Sequence, residues 1–263
     1  MHPILRFFLI VVAAILILFG IGLLAQIPWI NSHWLWPDAP WLSGVFMTSA
    51  FYANAASYLY CGLFKRTASL RAASLSAIVA YGGCSMYLLL AAGQVSLNYD
   101  QNRLLMWGEI CLIFVIINIV FYILARPAPF ISLNPYPALL KWLMGLVVIA
   151  NIWVSLRLIA NLDAFAWILA TEMNIIYGWI LLGAATYTIL VLLQPYWENI
   201  GGLFFAFIGY DLILLFPLVY LLFNPEIVPV HTYRLIAYIL LVLLTLLTSL
   251  FYLRYVFSSQ VQD

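Results

Sequence analysis

Four ionisable side chains stand inside long apolar runs of the chain: Glu109, Arg157, Glu172 and Asp211. A charge at bilayer depth costs about 2.5–3.5 kcal/mol on insertion scales, so each needs a partner or a purpose. A carboxylate in such surroundings can bind a cation, take up a proton or hold a polar headgroup, and a long arginine can reach it from about one turn away. With a helical rise of about 1.5 Å per residue, Glu109 falls about 10 Å and Glu172 about 12 Å below the outer ends of their runs, and Asp211 falls about 18 Å deep, near the middle of its own. Asn151 and Asn174, with Asn54 and Asn118, add neutral hydrogen-bonding groups on neighbouring runs. These positions predict a shared polar cluster in the outer half of the membrane or at its midplane. Two readings of it stay open: a ligand site, or cross-helix pairings that hold no ligand.

Other chemistry is poorly provided for. His2, His33 and His231 fall at the N-terminus and in loops, so no intramembrane pair could ligate a b-type haem. The chain has no His-Glu-x-x-His, no phosphate-binding Walker loop and no Gly-x-Ser-x-Gly, which predicts neither a catalytic residue nor a metal site. Cys61, Cys84 and Cys111 each sit in an apolar run without a Cys-x-x-Cys spacing, and read as small buried hydrophobes. No cofactor is predicted. A pigment or quinone held without histidine stays open, because 17% aromatic content suits either such a ligand or lipid-facing spans.

These residues must be positioned by membrane-spanning helices. Of 263 residues 67% are hydrophobic and 7% charged, against roughly 45–50% and about 25% in soluble domains. A water-soluble fold is excluded, and a net charge of +1 excludes a nucleic-acid surface. Hydropathy divides the chain into eight runs near 4–25, 42–65, 70–93, 102–126, 138–160, 164–194, 200–223 and 232–257, each able to cross about 30 Å of hydrocarbon. Boundaries fall at Trp36-Pro37-Asp38-Ala39-Pro40, Arg126-Pro127, Asn134-Pro135, Gln194-Pro195 and Asn224-Pro225, where proline lacks the N–H a continuing helix needs. Continuous runs, rather than alternating strands, exclude a barrel. The first run, Phe7 to Ala25, exceeds a signal-peptide core and reads as a retained span. No soluble domain fits in what remains.

The halves of the chain resemble each other. Asp38-Ala39 recurs as Asp163-Ala164, Ala77 to Tyr81 as Ala206 to Tyr210, Arg103-Leu104 as Arg234-Leu235, and Phe121-Tyr122 as Phe251-Tyr252. The expected fold is therefore an all-α integral membrane protein of eight transmembrane helices in two parallel four-helix repeats, 1–130 and 131–263. Interruptions at Gly82-Gly83 and at Pro217 fall in matching spans, as either unwound binding turns or sites of close helix packing. With the N-terminus inside, seven Lys and Arg lie inside against three outside, so both termini are expected in the cytoplasm of a bacterial inner membrane. The Trp-Pro-x-Ala-Pro turn resembles a Trp/Pro-rich turn of uncharacterised bacterial membrane proteins. The likeness covers one short segment and implies no activity.

Trp29, Trp34, Trp36 and Trp41 cluster in the first outer loop, as an interfacial anchor, a cap over a cavity or a docking surface for another subunit. The function expected is a non-enzymatic subunit, or a lipid- or small-ligand-binding component, of a larger membrane complex. Its partners would be lipids and other membrane subunits. The alternative is a small secondary transporter with an outward-facing polar site containing the buried carboxylates.

Overall fold

The structure is a computed structural model and describes residues 1–36, 41–93 and 100–258. Its helices are α1 (Pro3–Leu24), the short α2 (Pro28–His33), α3 (Trp41–Leu63), α4 (Leu70–Ala92), α5 (Gln101–Ala125), α6 (Ala138–Ile159), α7 (Thr171–Leu193), α8 (Trp197–Phe223) and α9 (Thr232–Ser258). Among the described residues there are no strands, only isolated bridges between Pro135 and Tyr196 and between Trp167 and Val230. Seven of the helices are long and apolar enough to cross a membrane. The chain is a multi-pass membrane protein.

The helix that falls short of that hydropathy is α3, although it has 23 residues. Its sequence explains why: Ser43, Thr48, Ser49 and Ser57 are buried on it, and it lies between α1 and α8. A helix shielded from lipid by neighbours can carry hydroxyls that a lipid-facing helix avoids, because its neighbours accept their hydrogen bonds. Thr48 donates to the Gly20 carbonyl of α1 at 3.2 Å, for example. The opposite pattern marks α1, which beyond Arg6 is apolar all round. It buries Leu5, Leu9, Val12, Leu16 and Leu23 toward the protein and turns Phe7, Phe8, Ile15 and Leu18 outward. In water that outward face would drive aggregation; against acyl chains it is the correct surface.

The long helices form two rows. In one, α1 packs along α3, α3 along α8 and α8 along α9; in the other, α5 packs along α4, α4 along α7 and α7 along α6. Between the rows, α3 and α4, α7 and α8, and α4 and α8 approach only briefly. Exchanging α1, α3, α4 and α5 for α6, α7, α8 and α9 leaves every one of these neighbour relations in place. Glycines permit the tightest approaches within rows. A Cβ at Gly183 of α7 would lie 2.7 Å from Ala80 Cβ and 2.8 Å from the Ser76 carbonyl of α4, and one at Gly209 of α8 would lie 2.7 Å from the Tyr52 carbonyl of α3.

Several expected boundaries shift. The helix of the sixth expected run, α7, begins at Thr171, not near 164, because Asn161 adopts a positive φ of 55° after α6 and residues 165–167 then fold inward. Asp163-Ala164 therefore lies in a connection and opens no helix, while Asp38-Ala39 falls outside the described residues. Ahead of α3 and α7, the segments Trp34-Leu35-Trp36 and Phe165-Ala166-Trp167 are buried at all six positions. Neither expected interruption unwinds its helix: α4 runs unbroken through Gly82-Gly83 and α8 through Pro217. Gly83 instead receives the Trp179 ring of α7, which a Cβ would strike. The Gln194-to-Asn199 connection is shorter than expected, since α8 already starts at Trp197.

Candidate functional site: a chamber between the helix rows

Where the rows stand apart, they enclose a chamber of about 310 Å³ to which all eight long helices contribute. Its walls are mostly apolar and aromatic, as expected of space between membrane helices. At one end the Ser57 and Tyr187 hydroxyls meet at 2.7 Å across α3 and α7. At the other, Trp34 and Trp36 fold over it from the α1–α3 connection, held by edge contacts of Trp34 with Trp107 and of Trp36 with Trp34. The Trp107 indole N–H donates to the His33 carbonyl at 2.9 Å, which ties that cover to α5. The wall positions recur along the chain about 130 residues apart: Asn54 with Ala184, Ser57 with Tyr187, Trp107 with Tyr238, Ile110 with Leu241, and Phe114 with Thr245.

Among the described residues Asp211 is the one carboxylate lining this chamber, and it is 1% exposed. Among the described residues its hydrogen-bond donor is Thr245, whose Oγ1 lies 2.9 Å away on α9. The same hydroxyl sits 3.0 Å from the Leu241 carbonyl, which also accepts from it. One hydroxyl has one proton, so it can satisfy the carboxylate or the carbonyl fully, not both. No Lys or Arg forms an ion pair with Asp211 among the described residues. A buried carboxylate with one shared donor and no cation can take up a proton or receive a donor group from a ligand. Beside it, the Tyr210 and Tyr238 hydroxyls form a hydrogen bond within the same wall.

The other expected site residues are dispersed. Asn151 also lines the chamber, its amide donating to the Val147 carbonyl of its own helix at 3.0 Å. Arg157 lies at the end of α6, over the Trp153 ring and 3.4 Å from the Asp163 carbonyl, in a groove that adjoins the chamber. Glu109 is exposed on α5, away from the chamber. Glu172 occupies the first turn of α7, not a deep position, because that helix starts seven residues later than hydropathy indicated; an acid there is favoured by the helix dipole. Asn174 donates to Asn161 at 3.1 Å near the same end. The structure thus brings Asp211 and Asn151 to one chamber, sets Arg157 beside it, and leaves Glu109, Glu172 and Asn174 outside. Of the tryptophans, Trp34 and Trp36 are buried, Trp41 is half-buried at the start of α3, and Trp29 projects outward at 69% exposure.

Two residues gain importance that hydropathy had passed over. Thr245 reads as one hydroxyl in an apolar run, and only its facing of Asp211 sets it apart. Glu198 reads as a loop acid, yet it is 1% exposed in the first turn of α8. Its carboxylate accepts from the Ile131 N–H at 2.6 Å, and its carbonyl accepts from Tyr60 at 3.0 Å and Ser69 at 2.8 Å. Ser132 and the guanidinium groups of Arg66 and Arg71 stand around the same carboxylate. Glu198 therefore ties the α5–α6 connection to α3 and to the residue ahead of α4, at the chamber's far end from the tryptophan cover. Among the described residues no group of three or more His, Cys, Asp or Glu is placed to hold a metal ion. Comparison with known protein families, with curated proteins and with solved structures finds no match to this chain.

Proposed function

We propose that the chain is a non-enzymatic, polytopic membrane protein that binds a small, mostly apolar ligand in the chamber between its helix rows. The observation that carries this reading is the chamber itself: mostly apolar walls drawn from all eight long helices, with Asp211 and Thr245 as an ionisable anchor. Binding sites of this kind are concave and largely apolar, with a few polar groups that fix orientation. A ligand with one hydroxyl or amino group would bury its body against aromatic rings and give Asp211 the donor that Thr245 must otherwise divide.

A second reading is a secondary transporter for such a ligand. What favours it is the exchange relation among the helices, together with wall residues that recur about 130 positions apart. Both agree with eight spans in two parallel four-helix repeats, with α3 as the eighth span, related by an axis along the membrane normal. Transporters of that build hold substrate at the interface of their repeats. In either reading the protein sits in a bacterial inner membrane with both termini in the cytoplasm, consistent with the excess of cations on the terminal side. Lipids and other membrane subunits are its partners, with Trp29 the exposed aromatic of the first connection.

Ligand identification by mass spectrometry of the purified full chain tests the chamber. The wild type is expected to retain a small molecule that Ala184→Phe, which fills the chamber, loses at least about tenfold, as overfilling a packed site does. Asp211→Asn is expected to reduce retention as well while the protein still folds. Equal retention by the wild type and the filled variant would overturn the proposal. Orientation has its own test: a cysteine placed at Ser32 should react with an impermeant thiol reagent from outside the cell, and labelling only from the cytoplasm would invert the topology.

A further inference from the structure

The chamber has a side opening whose chemistry differs from that of its walls. Between α6 and α9, which make no extensive contact, runs a groove of about 600 Å³. Its floor is apolar, formed by Ala150 and Val154 of α6 and Ala237 of α9, and it meets the chamber at Asn151, Leu181, Tyr238 and Leu241, which border both spaces. Its outer rim is charged. Arg157 and Arg234 stand there with Asp163, whose carboxylate lies 2.8 Å from the Arg234 guanidinium and 2.9 Å from His231. Among the described residues, two guanidinium groups against one committed carboxylate leave a net positive rim, where Arg157 engages a carbonyl at 3.4 Å and the Trp153 ring.

The first half is built differently at the corresponding place. Between α1 and α5, Phe19, Trp34 and Trp107 pack ring against ring with centroids 4.9–6.0 Å apart, whereas between α6 and α9 the matching contact is Phe165 against Tyr238 at 5.5 Å. The bonds that end α1 and α6, Ile27 N–H to Gly22 and Leu162 N–H to Arg157, align Gly22 with Arg157 and Phe19 with Val154. The second half therefore has the smaller Val154 where the first adds the Phe19 ring, and a guanidinium where the first has none.

Resting on the chamber reading above, we propose that the α6–α9 gap admits a membrane lipid with an anionic headgroup. Arg157 and Arg234 hold the headgroup at the rim, and an acyl chain follows the apolar floor past Asn151 and Leu241 into the chamber. The lipid is the neighbour this face already has, and the sign of the rim selects the acidic kind: a cationic side chain near the bilayer surface favours an anionic lipid, and guanidinium groups suit phosphate oxygens.

The full chain, reconstituted in nanodiscs, would be exposed to phosphatidylglycerol carrying a photoactivatable group near the end of one acyl chain, and the labelled peptides identified. Labelling of α8 and α9 at the chamber is expected, and phosphatidylcholine with the same chain should label them less. Arg157→Gln should lower the phosphatidylglycerol signal about five-fold, the size of one cation–headgroup interaction. Arg157→Lys should restore most of it, and Arg103→Gln, on α5 and outside the groove, should leave it unchanged. Equal labelling by both lipids, or labelling indifferent to Arg157→Gln, overturns the proposal. If Ala184→Phe abolishes chamber labelling while Arg157→Gln does not, the chamber reading stands and the entrance falls. If label stays in the groove regardless of Ala184→Phe but still depends on Arg157, the headgroup site stands and passage into the chamber falls.

Discussion

Gly183→Val and Gly209→Val are each expected to destabilise the protein by about 2–3 kcal/mol, the upper part of the range for overfilled packing. Both glycines stand where one helix of a row presses on the backbone of the next. At Gly183 the added carbons would meet Ala80 and the Ser76 carbonyl, and at Gly209 the Tyr52 carbonyl. Backbone cannot rotate away as a flexible side chain would, so α7 must withdraw from α4, or α8 from α3. The Gly183 change also endangers the bond from the Ser76 hydroxyl to the Gly183 carbonyl, now 2.8 Å long. Gly145, with nothing within 4 Å of its added Cβ, is the control, and Gly145→Val should have little effect. Reversible unfolding in mixed micelles would measure all three. A loss below about 0.5 kcal/mol at either Gly183 or Gly209, the usual range of surface substitutions, would show that the rows are not held by these approaches.

The second large effect is expected at Glu198. Glu198→Ala leaves the Ile131 N–H without its acceptor and removes the negative charge that faces Arg66 and Arg71. A hydrogen bond to a charged group is worth about 1.5–3 kcal/mol, and a loss near the top of that range is expected. Arg66 makes the site sensitive, since it is 8% exposed and its Nε and Nη1 have no hydrogen-bond partner among the described residues. Glu198→Gln keeps an acceptor for Ile131 and should cost about half as much, because only the charge is lost. The same unfolding measurement separates the two variants. If Gln and Ala are equally costly, charge rather than the Ile131 bond holds this corner; if both are harmless, Glu198 does not tie the α5–α6 connection to α3.

Much of the helical layout is legible in the chain, and the reason is energetic. Proline clusters and charges must lie outside hydrocarbon, so the ends of α1, α4, α5, α6 and α9 fall within a few residues of the hydropathy boundaries. The exception is the start of α7. Phe165, Ala166 and Trp167 are as apolar as a span, but they fill space between the rows as a folded connection, and hydropathy cannot distinguish an apolar turn buried in protein from an apolar helix. That single difference moved Glu172 from a depth of about 12 Å to a helix end. Asp211 was legible as a deep acid because its neighbours on both sides belong to one uninterrupted helix. Its partner was not, since Thr245 lies on another helix 34 positions further along.

The amino-acid sequence alone therefore determined the class, a multi-pass helical membrane protein, and the few polar residues worth following. Only the tertiary structure decided which of them meet. In water a helix announces its buried face by being apolar on one side; in a membrane the lipid-facing and protein-facing sides are both apolar, so the rotation of each helix is almost silent in its composition. Glu109 on α5 and Asp211 on α8 look alike in sequence for that reason, and packing alone turns one outward and the other into the chamber.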